Sequence, residues 1–241
     1  MTRLDDPALV AAEYADDARL RRRAAAFTAA ASVEDARLPL VAALVEARPR
    51  RVLEVGCGWG ELADWVARET GAEVVATDLS PRMVELSRER GLDARFADVQ
   101  QLPFADGSFD AAVAAWMLYH VPDLDRGLSE LARVLRPGGR LVAATNSALH
   151  LQELRELVGS GPSPSTFTRE NGEALLHRHF ASVRREDVDG QLEFETRSDV
   201  EDYVRASIVM SPFVDNLPVV VEEPFRARRA SSVFVADKAA T

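Results

Sequence analysis

The chain has 241 residues, 47% of them hydrophobic, and a formal net charge of −10. That length suits one large α/β domain, or a domain with an appended cap, and is cramped for two. The acidic balance disfavours nucleic acid as a partner, because binding a phosphate backbone draws most of its free energy from Lys and Arg displacing counterions.

No run approaches the ~20 uninterrupted apolar residues that cross a bilayer. Asp5, Asp6 and Glu13 follow soon after Met1, where a secretory leader would be basic and then apolar, so a cytoplasmic protein with no membrane partner is expected. The single cysteine, Cys57, excludes an intrachain disulfide and a multi-cysteine zinc site.

The first fifty residues read as helices. Asp6 followed by Pro7 makes an N-cap and first helical position, residues Asp17 to Phe27 are strong helix formers, and Val33 to Ala47 carries Leu38, Val41, Leu44 and Val45 at helical spacing before Pro49. Strand and helix then alternate. Strands are predicted at Val52 to Val55, Val74 to Thr77, Ala94 to Ala97, Ala111 to Ala115 and Leu141 to Thr145, and helices at Glu61 to Thr70, Pro81 to Arg90 and Asp125 to Leu135. Pro137-Gly138-Gly139 predicts a sharp turn into the fifth strand.

Beyond Asn146 the rhythm loosens. A loop is expected at residues 160–164, a helix at Thr168 to Arg178, a strand at Val183 to Val188 with an Asp189-Gly190 turn into Leu192 to Glu195, a helix at Ser198 to Val209 and a closing strand at Ser232 to Ala236. The whole predicts an α/β fold: a doubly wound, mostly parallel sheet with helices on both faces.

Strand, glycine turn and helix in succession bend the backbone sharply and aim free N–H groups at an anion. Here Gly56, Gly58 and Gly60 are spaced G-x-G-x-G, whereas the dinucleotide fingerprint places its third glycine where Glu61 stands. The segment Glu54-Val55-Gly56-Cys57-Gly58-Trp59-Gly60 resembles the first motif of class I S-adenosylmethionine-dependent methyltransferases. Asp78 at the end of the second strand, Ala97-Asp98-Val99, Leu102-Pro103-Phe104, Ser108-Phe109-Asp110 and the run from Leu131 to Val142 follow in the order of that family, so the similarity covers about Arg51 to Thr145. Within the family the broad small-molecule group, acting on quinones and natural products, is nearest.

The resemblance implies seven strands with the last antiparallel, an N-terminal helical lid at residues 1–49, and a methyltransferase domain at 50–241. Residues 50–145 form its cofactor half and 146–241 its substrate-shaping and closing half. It implies S-adenosyl-L-methionine as cofactor, with the loop residues Gly56, Cys57, Gly58 and Gly60 against the methionine part and Glu54 organising the loop and the ammonium group. Asp78 would accept the ribose hydroxyls, with Leu79 beside it; Asp98 and the Val99 backbone would meet the adenine, and Ala115 and Trp116 would border the cofactor. A nucleotide-dependent oxidoreductase and a non-catalytic cofactor-binding protein or partner subunit are the rival readings.

Methyl transfer from a sulfonium is an in-line displacement, so the protein chiefly positions the acceptor atom, an O, N or C, excludes water and sometimes removes a proton. The acceptor is expected to be a small molecule, and the protein a monomer or homodimer. Residues Ala114 to Asp123 lack the Asn/Asp-Pro-Pro-Tyr signature of amide and adenine modification, and Cys57 lies away from them. Trp116, Met117 and Tyr119 are candidates to border the sulfonium.

His120 is the first candidate base, against the alternative of a histidine that only packs or hydrogen-bonds, and His150 is the second, with Asn146 to orient the substrate. Tyr14 and Arg21 to Arg23 fall in the lid, where an arginine would meet a carboxylate or simply face solvent. His177 and His179 point to different helix faces and no metal is expected.

Overall fold

The computed structural model describes residues 4–29, 35–162 and 164–241. Seven strands, β1 (Arg51–Val55), β2 (Glu73–Asp78), β3 (Asp93–Phe96), β4 (Phe109–Ala115), β5 (Leu135–Asn146), β6 (Ser182–Phe194) and β7 (Phe225–Asp237), form one sheet in the order β3-β2-β1-β4-β5-β7-β6. The first five are parallel and β7 runs antiparallel between β5 and β6. This is the doubly wound, mostly parallel arrangement expected, with the reversal of strand order between β1 and β4, where open α/β sheets bind ligands.

Period-two alternation sorts the strand residues into two cores. Leu53, Val55, Ala112, Ala114, Leu141 and Phe234 face one way, under Leu128 and Leu131 of α6 (Leu124–Val134) and Leu176 of α8 (Gly172–Leu176). Val52, Val113, Val142 and Val235 face the other, under α3 (Arg37–Ala47), α4 (Glu61–Thr70) and α5 (Pro81–Glu89). A third core joins the far ends of β6 and β7 to α7 (Gln152–Val158) and α9 (Arg197–Ala206) through Leu154, Val158, Leu192, Phe194, Val200 and Val204.

Several local expectations hold. Asp6 caps α1 (Pro7–Glu13) by accepting from the Ala8 N–H at 2.9 Å, and α2 (Ala18–Ala29) covers the second predicted helix. The expected start of the third helix at Val33 lies outside the described residues, as does position 163 of the 160–164 loop. Of the predicted lid, α1 and α2 lie over the glycine turn, whereas Leu40, Val41 and Leu44 bury α3 against the sheet.

Others need correction. Asp189-Gly190 is no hairpin turn: β6 continues through it and pairs with β7 from Ser182↔Asp237 to Phe194↔Phe225. The unbroken partner strand supplies ladder hydrogen bonds that outweigh the local turn preference. The Pro137-Gly138-Gly139 turn is a bulge inside β5, where the register jumps from Phe109↔Leu135 to Ala111↔Arg140. Gly139 is obligatory there, since a Cβ would lie 2.9 Å from the Arg136 carbonyl. The helix expected over Thr168 to Arg178 is confined to α8, and α7 was not anticipated.

Among the described residues no helix is long and apolar enough to cross a membrane. Phe234 is fully buried against Phe167, with ring centroids 5.7 Å apart, and against Gly172, whose Cβ would sit 2.7 Å from the ring. Replacing Phe234 by Ala should lower unfolding stability by about 3–5 kcal/mol, read as a shift of the urea midpoint.

Candidate active site

At the carboxyl end of β1 the chain turns through Gly56, Gly58 and Gly60, all with φ between 55° and 81°. Glycine is required twice over at Gly56 and Gly60. Besides the left-handed φ, a Cβ at Gly56 would stand 2.7 Å from the Met117 side chain, and one at Gly60 2.6 Å from Leu92. Gly60 then opens α4, and Ser87 of α5 props the turn by donating its hydroxyl to the Gly58 carbonyl at 2.9 Å. Cys57 lies buried 3.5 Å from the Ser87 hydroxyl; burial pushes its thiol well above the usual range, so it stays protonated.

Two carboxylates lie beneath this turn, Glu54 buried and Asp78 half-buried. Asp78 ends β2 and accepts from the Gly58 N–H at 2.9 Å and the Ser80 N–H at 2.8 Å, which ties the glycine turn to the start of α5. Glu54, one strand over, is only 3% exposed, and its Oε2 is buried with no hydrogen-bond partner. Burial, reinforced by the negative Asp78, pushes the Glu54 carboxyl up to about 8, and burial raises Asp78 as well. A buried, unsatisfied acid beside a second acid is costly to ionise and would be relieved by a cationic group in the turn.

Asp98 sits in the turn after β3, where the Gln100 backbone N–H and side-chain amide both donate to it, at 2.8 and 3.1 Å. Val99 is buried next to it, and Leu79, beside Asp78, is an exposed apolar residue. Ala115 ends β4 and Trp116 follows it. Trp116 has φ 52°, a conformation a bulky residue adopts at a cost of about 1–3 kcal/mol, and its indole N–H donates to Asn146 Oδ1 at 3.2 Å.

Past Trp116, a 3₁₀ turn at Leu118–His120 carries His120 to the N-terminal helices. His120 Nδ1 lies 2.7 Å from the Leu4 carbonyl, which only accepts, so Nδ1 holds the proton and Nε2 accepts from the Tyr14 hydroxyl at 2.9 Å. Burial, with Arg23 adding to it, lowers the His120 value, and burial raises Tyr14 to about 12, so both groups are neutral near pH 7.

Of the three consecutive arginines, Arg21 pairs with Asp17 and stacks on Trp59, Arg22 is exposed, and Arg23 joins Glu13 and the Ala206 carbonyl of α9. The Tyr14 carbonyl accepts from Ser80 Oγ at 2.6 Å, fastening α1 over the Asp78 carboxylate.

A cavity of about 590 Å³ opens beyond these groups, between the ends of β4 and β5, the N-terminal helices and the third core. Trp116, Tyr119, His120 and Asn146 line it, together with Leu151, Tyr203 and Met210. Leu20 lines it too and lies 3.7 Å from the Cβ position of Gly58, so the cavity and the glycine turn are neighbours separated by that side chain.

His150 also lines the cavity and is buried. Its Nδ1 accepts from the Ala230 N–H at 3.1 Å, which puts the proton on Nε2. Burial, with Arg155, Arg229 and Arg169 nearby, lowers it to about 3, too weak a base to take a proton near pH 7. His177 and His179 face Glu173 and Asp125 separately. Tyr203, Arg155 and Arg229 join the cavity from segments far from any motif; hydropathy hides Arg155 and Arg229 among surface arginines.

Glu54 makes the unliganded protein pH-sensitive. A carboxyl raised from its ordinary value stabilises the fold below that value, and the stabilisation is lost as pH rises through about 8. The melting temperature should fall between pH 6 and 9 more steeply in the wild type than in Glu54→Gln, and equal slopes in the two would reject the buried-acid assignment.

Comparison with known proteins accords with this geometry. A family model described as "Methyltransferase domain" matches residues 53–143. The chain is similar to methyltransferase GfsG of Streptomyces halstedii, 47% identical over 102 residues that make up 39% of this chain and 37% of that protein. It is also similar to the demethylmenaquinone methyltransferase of Thermus thermophilus, 45% identical over 105 residues, or 41% and 48% of the two chains. The chain thus spans less than half the length of these two curated relatives.

In three dimensions it resembles the YcgJ protein of Bacillus subtilis at a TM-score of 0.60, with 19% identity, over 84% of this chain and 99% of that one, which is a likeness of fold. The match to a methyltransferase domain thus covers residues 53–143, and the fold that carries them is shared with a solved protein.

Proposed function

We propose that the chain transfers a methyl group from S-adenosylmethionine to a small-molecule acceptor held in the cavity beside Trp116 and His120. The observation that carries this reading is the buried Glu54 oxygen without a partner, next to Asp78 and under a glycine turn. Such a donor set suits a ligand with a cationic amino-acid end and a ribose, and suits a pyrophosphate badly, because two buried acids repel an anion.

The residues present fit that cofactor. Glu54 would face its ammonium group through the turn formed by Gly56, Cys57, Gly58 and Gly60. Asp78 would exchange its two backbone donors for ribose hydroxyls, with exposed Leu79 offering an apolar face to the base. Asp98 already accepts an amide NH2 from Gln100, the same donor chemistry as an adenine amino group, and the Val99 backbone adjoins it. Ala115 and Trp116 border the site. When bound, the cofactor supplies an electrophilic methyl on a sulfonium.

What remains for this chain is to hold the acceptor, exclude water and take a proton. His120 is the base: its Nε2 lone pair meets the Tyr14 hydroxyl, so an acceptor proton placed against Tyr14 Oη passes through that oxygen to Nε2. Leu4 keeps the imidazole in the tautomer this needs. His150 is a hydrogen-bond donor that orients the acceptor, and the indole-bound Asn146 fixes the floor beside it. The protein works without a metal, as a monomer or homodimer, in the cytoplasm.

Calorimetric titration with S-adenosylhomocysteine tests the cofactor half. Binding should strengthen as pH rises from about 6 to about 8, because Glu54 must lose its proton to solvent before its carboxylate can pair with a bound ammonium, and one proton should be released to the buffer, read in buffers of differing ionisation enthalpy. Asp78→Ala should weaken it more than about tenfold. Tight NADH binding with none of S-adenosylhomocysteine would sink the proposal. For the chemistry, incubation with labelled methyl donor and metabolite fractions should give a product heavier by one CH2. On that acceptor His120→Ala should lower kcat at saturating cofactor by roughly a hundredfold, and a loss under about threefold would leave positioning as the whole mechanism.

A further inference from the structure

The cavity inverts the sign of the molecule that contains it. Over the whole chain Asp and Glu outnumber Lys and Arg by 39 to 29, yet among the described residues the cavity is lined by Arg23, Arg37, Arg155 and Arg229 against Asp35 and Glu61. Two of these cations are neutralised in place. Arg23 pairs with Glu13, and Arg37 grips Asp35 through Nε and Nη2 while Nη1 reaches Glu61 at 2.9 Å.

Arg155 differs. Among the described residues its guanidinium bonds only to backbone carbonyls, those of Ala148, at 2.7 Å, and His150. The acids on its own helix are engaged elsewhere: Glu153 accepts from the Arg228 backbone N–H and Glu156 from the Gln152 amide. Two carbonyls hold a guanidinium in place without cancelling its charge, and five N–H donors exceed what two acceptors use.

His150 stands in the same wall, held neutral by burial first and then by Arg155, Arg229 and Arg169; Arg155 itself is lowered by desolvation, against which Glu153 and Glu156 act from a distance. The same cavity is lined by apolar and aromatic groups, among them Trp116, Tyr119, Tyr203 and Met210. A site with an apolar body and a fixed, uncompensated guanidinium at one end selects a ligand of matching polarity.

We infer that the acceptor is a carboxylate-bearing, ring-sized apolar molecule whose carboxylate is received by Arg155. The inference rests on the cavity being the acceptor site of the proposed methyl transfer. Neutral rings would leave the Arg155 charge uncompensated in a half-buried wall, so the site discriminates by charge before it discriminates by shape.

The test compares two probes of one shape, 4-hydroxybenzoate and 4-hydroxybenzamide, titrated into the full chain saturated with S-adenosylhomocysteine and followed by ligand-observed NMR. The acid should bind about tenfold tighter than the amide. Its advantage should shrink as salt rises from about 50 to about 500 mM. Arg155→Gln should bring the acid to the level of the amide while S-adenosylhomocysteine affinity and melting temperature stay at wild-type values.

Equal affinities, no saturable binding of the acid, or a preference that survives Arg155→Gln would each overturn the inference. Should that variant not fold, the acid-to-amide ratio and its salt dependence in the wild type decide alone. Failure of S-adenosylhomocysteine to bind at all would count against the methyl-transfer reading instead, and the same probe comparison without it still decides the charge preference.

Discussion

Two carboxylates at the carboxyl ends of neighbouring parallel strands, Glu54 buried and Asp78 half-buried, govern this structure. Glu54 stands on β1, which borders the point where the sheet reverses its strand order, and Asp78 on the adjoining β2. Desolvation and mutual repulsion make their charges expensive, and only Asp78 is compensated, by two backbone N–H groups. The glycine turn is shaped to bring those donors in, and Ser87, Met117 and Leu92 close around it so that no side chain fits at Gly56 or Gly60. A fold that retains an unpaired buried acid gives up stability at that point, and the return is a site prepared for a cation.

The rest of the molecule encloses what lies next to that cradle. The N-terminal helices are fastened by Ser80 to Tyr14 and by Arg23 to Ala206, so the same segment touches the cofactor cradle and α9. Tyr14 and Leu4 complete the hydrogen bonding of His120, which means the candidate base is correctly presented only when these helices are down. The position of the His120 ring and that of the N-terminal helices are therefore fixed by the same hydrogen bonds.

The parts legible in the sequence were those dictated by local backbone needs or strict periodicity. Left-handed turns demand glycine, buried parallel strands demand short apolar runs, and so β1 to β5 with Gly56, Gly58, Gly60 and Asp78 stood out. β6 did not: its Asp189-Gly190 pair has the composition of a turn, and only the thirteen-residue partner β7, from Phe225 to Asp237, keeps it extended. His120 was visible but its partners were not, because Tyr14 is 106 residues away in sequence. His150 reads as a base in the sequence, but burial and the nearby arginines make it too weak a base to take a proton near pH 7. Arg155, on the short helix α7, carries no pattern at all; its meaning comes from the cavity it lines.

The most direct measurement of the central claim is a crystal structure of the chain with S-adenosylhomocysteine. The account predicts the ribose hydroxyls on Asp78, displacing the Gly58 and Ser80 N–H groups, the amino-acid end over Glu54 in the glycine turn, and the cavity beside Arg155 still open for an acceptor. Density for the ligand lying wholly in that cavity, with Asp78 still bonded to the Gly58 and Ser80 backbone, would contradict it.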